Sequence, residues 1–215
     1  MLSSMRATHP AMHDERGKTG KAADILGAAR HEFLANGFGA VSMDAIARVA
    51  GVSKATVYAH FAGKEELFGA VVSAMSEQYF GDFSVSELDP VEVGTSLTAL
   101  ARQFLELLLS PDAIALNRII IAEVTRFPAL GEVFWQAGPV RTRAQIEAFL
   151  RQAEAAGTLA VSDPRQAADQ FAALVRGEIH QRHLFGRERN SGPAAIATAA
   201  RTAVDTFLRA YAPQG

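Results

Sequence analysis

Four times in this chain a residue able to cap a helix stands directly before a proline: Asp89-Pro90, Ser110-Pro111, Asp163-Pro164 and Gly192-Pro193. Proline lacks the amide hydrogen that the first turn of a helix leaves unpaired, and its fixed φ suits that position, so each pair reads as a helix start. Ser42 and Ser53 are placed to cap two shorter helices nearer the N-terminus. Between these starts apolar residues recur at helical spacing, and no segment sustains the alternation of a half-buried strand. The chain is therefore expected to be all-α, with about nine helices: 22–36, 43–50, 54–60, 64–80, 90–109, 111–126, 129–156 broken near Pro139, 164–185 and 193–211.

At 215 residues there is room for one or two domains, and 49% hydrophobic residues supply a real core. Cysteine is absent, which removes disulfides, thiolate metal sites, iron-sulfur clusters and thiol nucleophiles together. The longest apolar run in the middle of the chain, 119–122, falls far short of the ~18 residues a membrane span needs. Residues 1–20 lack the apolar stretch of a signal peptide and read as a flexible polar tail, so a cytoplasmic protein without a membrane partner is expected. Charge is uneven. Residues 1–64 carry a net +3 and the remainder a net −5, and all four lysines, Lys18, Lys21, Lys54 and Lys64, lie in the first part. A basic head on an acidic body suits a polyanion partner, although random variation of a solvated surface produces the same imbalance.

Ile25, Ala29 and Phe33 form one row on the first helix, and Gly37 is placed to stop it. From Ser42 to Phe61 two short helices follow, one burying Ile46, Ala47 and Ala50, the other Val57 and Phe61, with only Gly51 and Val52 before the second cap. So tight a turn forces a steep crossing: Gly51 supplies positive φ, Ala47 permits close approach and Val52 plugs the corner. The N-terminal half of the third helix then projects outward, as a recognition helix must to enter a major groove.

From Ile25-Leu26 through Val71, and above all in Ala-Gly-Val-Ser-Lys-Ala-Thr-Val-Tyr-Ala-His-Phe at 50–61 followed by Lys64, the sequence resembles the N-terminal domain of TetR/AcrR transcriptional regulators. The resemblance implies a three-helix DNA-binding domain over 21–67 with its helix-turn-helix at 42–61, and double-stranded DNA as the partner. It places Tyr58, His60 and Lys64 on backbone phosphates, and Lys54, Ala55 and Thr56 where such regulators read bases. Their chemistry fits: phenol, imidazole and ammonium donors for phosphate, Lys54 for guanine O6 and N7, and methyl groups of Ala55 or Thr56 for thymine. Ser42 and Ser53 stand at helix N-termini, where free amides and the dipole attract a phosphate oxygen. Tyr58, next to Val57 and Phe61, is alternatively part of the core, and Lys18 and Lys21 are either a basic arm or a solvated tail.

In the body, Leu67, Val71, Met75 and Tyr79 form a stripe on the fourth helix that serves equally as a lever or as a plain connector. On the sixth helix, projection at 100° per residue puts Asn117 among Ile114, Ile120, Ile121 and Val124; it meets there a ligand, a backbone carbonyl or a water. On the eighth, Glu178 and Arg182 fall within the arc of Ala168, Phe171, Leu174, Val175 and Phe185, which reads as a cavity wall, a subunit contact or a partly solvated pair. The ninth stacks Ile196, Ala200, Ala203, Phe207 and Tyr211 amid further alanines.

Residues 99 to 186, with Arg-Phe-Pro at 126–128, Ala-Gly-Pro at 137–139 and Gly-Glu-Ile-His-Gln-Arg at 177–182, resemble the AefR-like type of TetR C-terminal domain. That resemblance implies a ligand-binding and dimerisation domain over 68–213, with the last two long helices forming a four-helix contact between two copies. A two-fold dimer in turn predicts a near-palindromic operator. The candidate pocket residues are Phe104, Asn117, Ile120, Ile121, Phe134, Trp135, Phe171, Glu178 and Arg182; the aromatics, with Phe127 and Phe149, are equally core candidates.

Enzyme chemistry finds no support. Gly-Lys-Thr at 17–19 lacks the leading glycine of a P-loop, since position 12 is Met, and no apolar strand precedes it. His180 and His183 share a face with Arg176, opposite Phe171 and Glu178, but no Glu-x-x-His spacing completes a metal set. There is no Gly-x-Ser-x-Gly and no His-Glu-x-x-His. No cofactor and no metal are expected, and the function expected is that of a sequence-specific regulator, a repressor released by a small, largely apolar effector. A helical enzyme and a sequence-indifferent DNA binder are the alternatives.

Overall fold

Capping and periodicity dictate helices, and helices are what the computed structural model contains; it describes residues 11–80 and 87–213, with side chains from 20–78 and 87–213. The order is α1 (Ala11–Ala40), α2 (Met43–Val49), α3 (Lys54–His60), α4 (Lys64–Phe80), α5 (Val93–Leu108), α6 (Pro111–Glu123), α7 (Pro128–Trp135), a π-helical turn (Gln136–Val140), α8 (Arg141–Ala155), α9 (Pro164–Leu184) and α10 (Pro193–Tyr211). No strand occurs among the described residues. If the run from 128 to 155 counts as one helix, the described residues form the nine helices expected from the sequence.

The caps behave as local chemistry requires. Ser42, Ser53, Ser110 and Asp163 each accept a hydrogen bond from the amide three residues on, and Pro111, Pro164 and Pro193 open their helices. Asp89-Pro90 does not start α5. The Asp89 carboxylate accepts instead from the Val91 amide at 2.8 Å, a turn of its own, and the helix begins only at Val93. α1 begins at Ala11 rather than 22, and it is broken at Gly37, whose φ of 76° and ψ of 166° suit only glycine. Residues 1–10, and with them part of the expected tail, lie outside the described residues. Pro139 does not end the helix: the chain passes it in the wider π turn and resumes as α8.

Two compact units divide between Val71 and Val72, four residues beyond the boundary expected from the sequence. The first is built on Phe33, Phe38 and Phe68, all fully buried, whose ring centroids lie 5.3 to 5.7 Å apart. Ile25, Ile46, Val57 and Leu67 are fully buried in the same unit. In the second unit α5, α8, α9 and α10 enclose one continuous core, in which Phe171 meets Phe207 edge-on at 5.2 Å and Phe207 stacks on Tyr211 at 4.5 Å. At the far end of α9, Arg118 of α6 donates to the carbonyls of Leu184 and His183 at 2.9 and 2.8 Å, adding to the Gly186 amide that already bonds His183 O at 3.0 Å.

Candidate nucleic-acid interface and cavity

α2 and α3 are joined by a turn that satisfies the last carbonyls of α2. Gly51, at φ 68°, follows the C-cap, its amide donating to Arg48 O at 3.3 Å, and the Val52 amide reaches back to Ala47 O at 3.1 Å. Val57 is wholly buried, whereas Lys54, Ala55 and Tyr58 are exposed and Thr56 and His60 half-buried. Tyr58, 47% exposed, is a surface residue and not core.

Each predicted contact residue of this unit has a definite setting. Ser42 Oγ and Ser53 Oγ are occupied as caps, both at 3.1 Å, and Ser53 Oγ lies 2.8 Å from Thr56 Oγ1. Lys54 Nζ lies 2.8 Å from Asp44 Oδ1 of α2, and that hydrogen-bonded carboxylate holds the ammonium above its ordinary pKa. Lys64 is half-buried: its Nζ donates to Phe38 O at 2.7 Å and Val41 O at 2.8 Å and sits 4.3 Å above the Phe38 ring centre. It clamps the chain that leaves α1 to the start of α4.

The second unit contains a cavity of about 360 Å³ with largely apolar walls, within the usual range for small-molecule sites. Of the nine residues expected to line a pocket, Phe104, Asn117, Phe134 and Trp135 do so. Asn117 donates its amide to Ala113 O at 2.8 Å, a helical back-bond. Five do not. Phe171 belongs to the core; Ile120 is half-buried elsewhere and Ile121 is 60% exposed. Glu178 and Arg182 are exposed and do not pair with each other, Arg182 lying 3.4 Å from Glu188 instead. Their projected arc assumed one straight helix with one buried face, and α9 departs from this twice. It is kinked at Gly177, with φ 44° and ψ −158°, and its opposite face is half-buried, with His183 fully so.

That opposite face carries Arg176, His180 and Leu184 into the cavity wall. Their i, i+4, i+8 spacing was visible in the sequence, but a row containing arginine and histidine reads as solvent-facing until a second wall is known. Burial lowers the pKa of the Arg176 guanidinium. Burial lowers that of His180 as well, with the positive charges of Arg176 and then His183 adding to it. His183 is buried, its Nδ1 2.9 Å from Ile179 O, and the Nε2 atoms of both histidines are buried without a hydrogen-bond partner. No cluster of three potential metal ligands exists among the described residues.

Residues 25–71 match the family described as bacterial regulatory proteins, tetR family, and residues 95–213, more than half the chain, match the AefR-like transcriptional repressor C-terminal domain. The chain belongs to the TetR family of transcriptional regulators. Among individual TetR-family relatives, the HTH-type transcriptional regulator SrpR of Pseudomonas putida is 27% identical over 158 residues, 73% of this chain and 72% of its own. The solved structure of a TetR-family regulator from Mesorhizobium loti superposes with a TM-score of 0.78 at 29% identity, covering 91% of this chain and 98% of that one. The Flavonoid-responsive Regulator FrrA gives a TM-score of 0.77 at 37% identity, with 92% and 100% covered. Family and fold are those of transcriptional regulators, which are not enzymes. No helix among the described residues is long and apolar enough to cross a membrane.

Proposed function

We propose that this TetR-family regulator is a cytoplasmic homodimeric repressor that leaves its operator when a small, largely apolar aromatic molecule occupies the cavity of its second unit. The observation that carries the reading is the pairing, in one chain, of an outward-facing α3 with a roomy cavity walled by Phe104, Phe134 and Trp135. The flavonoid-responsive relative, similar over nearly the whole chain, supports an aromatic effector.

On the DNA side, Tyr58, His60 and the amides that open α2 and α3 position phosphates, and Lys54, Ala55 and Thr56 read bases once Lys54 exchanges Asp44 for a base edge. For dimerisation, α9 and α10 offer a consistent surface. Leu174 on α9 and Phe185 at its C-cap are exposed, and on α10 the exposed Thr198, Thr202 and Thr206 each bond their hydroxyl to the carbonyl four residues back, which takes those hydroxyls out of competition for solvent. Exposed Glu178 and Arg182 fit a subunit contact on that surface.

Helix α4 supplies Leu67 and Phe68 to the first core and Val72 and Met75 to the cavity wall. A ligand that binds better to one setting of α4 shifts the population of that setting, and with it operator affinity. The test is fluorescence anisotropy of a duplex selected for binding, titrated with flavonoids and other flat aromatic molecules. Release at micromolar ligand is expected in the wild type and is blunted in Phe134→Ala. A duplex that stays bound under ligands shown by calorimetry to occupy the protein contradicts the reading.

A further inference from the structure

An arginine in an apolar wall is normally matched by a carboxylate, because taking a charge out of water without a partner is costly. Arg176 is not so matched among the described residues. It makes no ion pair and no hydrogen bond there, and its described contact is the face of Phe104, 5.8 Å from guanidinium carbon to ring centre. Asp169, two turns earlier on the same helix, exerts some attraction but lies 3.3 Å from Arg143, with which it is paired. One turn beyond Arg176, His180 adds a second polar group to the same wall, with its Nε2 buried and unbonded. The other polar groups of the wall, Asn117, Thr142, Ser76 and Gln181, are neutral, so among the described lining residues Arg176 carries the permanent charge, and it is positive.

We propose that the cavity selects an aromatic oxyanion, a flat apolar body bearing one ionised carboxylate or phenolate, with Arg176 as its counter-charge and His180 as a second hydrogen-bond partner. This rests on the reading of the cavity as a ligand site and adds the charge of its occupant. The body packs on Phe104, Phe134 and Trp135, while the oxyanion meets the planar donor fork of the guanidinium, the geometry in which charge-assisted bonds are strongest. A low imidazole pKa keeps His180 uncharged near neutrality, so it joins the bond without adding a second cation.

Three probes with one body separate charge from shape: biphenyl-4-carboxylate, biphenyl-4-carboxamide and biphenyl-4-ylmethylammonium. Each is titrated into the full chain by calorimetry and by quenching of Trp135, the sole tryptophan, which lines the cavity. The carboxylate is expected to bind at least about tenfold tighter than the carboxamide, and the ammonium most weakly. Arg176→Gln abolishes the preference and Arg176→Lys retains most of it; thermal unfolding without probe shows that each variant is folded. If Arg176→Gln does not fold, the wild-type order and Arg176→Lys still decide. Equal binding of carboxylate and carboxamide overturns the charge selection while leaving the cavity as a ligand site. Selective binding that Arg176→Gln removes, but that releases no DNA, upholds the anion site and contradicts the effector role. Failure of all three probes to bind overturns the proposal.

Discussion

A lysine ammonium has three donors, and Lys64 gives two of them to the carbonyls of Phe38 and Val41. Removing it strands two partly buried acceptors, so Lys64→Met should lower stability by about 1–3 kcal/mol in urea denaturation. Were Lys64 only a phosphate contact, the variant would keep full stability and merely flatten the salt dependence of DNA binding by about one unit. His180 gives a pH dependence whose sign is fixed. Its folded pKa lies below the ordinary 6.5, so the unfolded chain takes up the proton first. Its contribution is fully present above about pH 7 and is lost as pH falls through 6.5 toward the folded value. Thermal midpoints should therefore be level from pH 8 to 7 and decline toward pH 5.5, more gently in His180→Gln; an unchanged slope in that variant would assign the decline to other groups. The sequence showed Lys64 at a family position but not its carbonyl partners, because those arise from the break at Gly37, 27 residues earlier.

The helices were legible wherever a boundary is decided within four residues. Ser42, Ser53, Ser110 and Asp163 cap as expected because a cap needs only its own hydroxyl or carboxylate and the amide three residues on. Asp89 failed for an equally local reason, since its carboxylate had a nearer amide to satisfy. What could not be read was which faces are buried. α9 is covered on one side by the core and partly on another by the cavity wall, and it is kinked, so projecting its residues onto one wheel sent Glu178 and Arg182 inward and Arg176 and His180 outward, the reverse of what is found. Gly177 carries a prediction here. In a regular helix Gly→Ala stabilises by about 1 kcal/mol, but at φ 44° an alanine is strained, although a Cβ would meet no atom within 4 Å. Gly177→Ala should thus lower stability by about 1–3 kcal/mol in urea, and a gain would show that the kink is not retained.

At the scale of the whole molecule the chain forms two compact units, and Phe104, Phe134 and Trp135, aromatics expected at a pocket, line the cavity of the second. Of its polar groups Asn117 was expected but Arg176 and His180 were not, because a cavity wall is assembled from helices far apart in the chain. The proposed dimer surface makes its own claim on the mass in solution. Light scattering should give twice 23.0 kDa for the wild type and fall toward the monomer for Leu174→Glu with Phe185→Glu, two exposed positions whose change costs the isolated fold little. A dimer unaffected by both would place the contact elsewhere. The central claim is that this chain reads DNA as a two-fold pair of helix-turn-helix units, and selection of bound duplexes from a random pool tests it most directly. Enrichment of inverted repeats with half-sites about one helical turn, roughly 34–36 Å, or a multiple of it apart is expected. Recovery of no preferred sequence, or of a single asymmetric half-site, would contradict it.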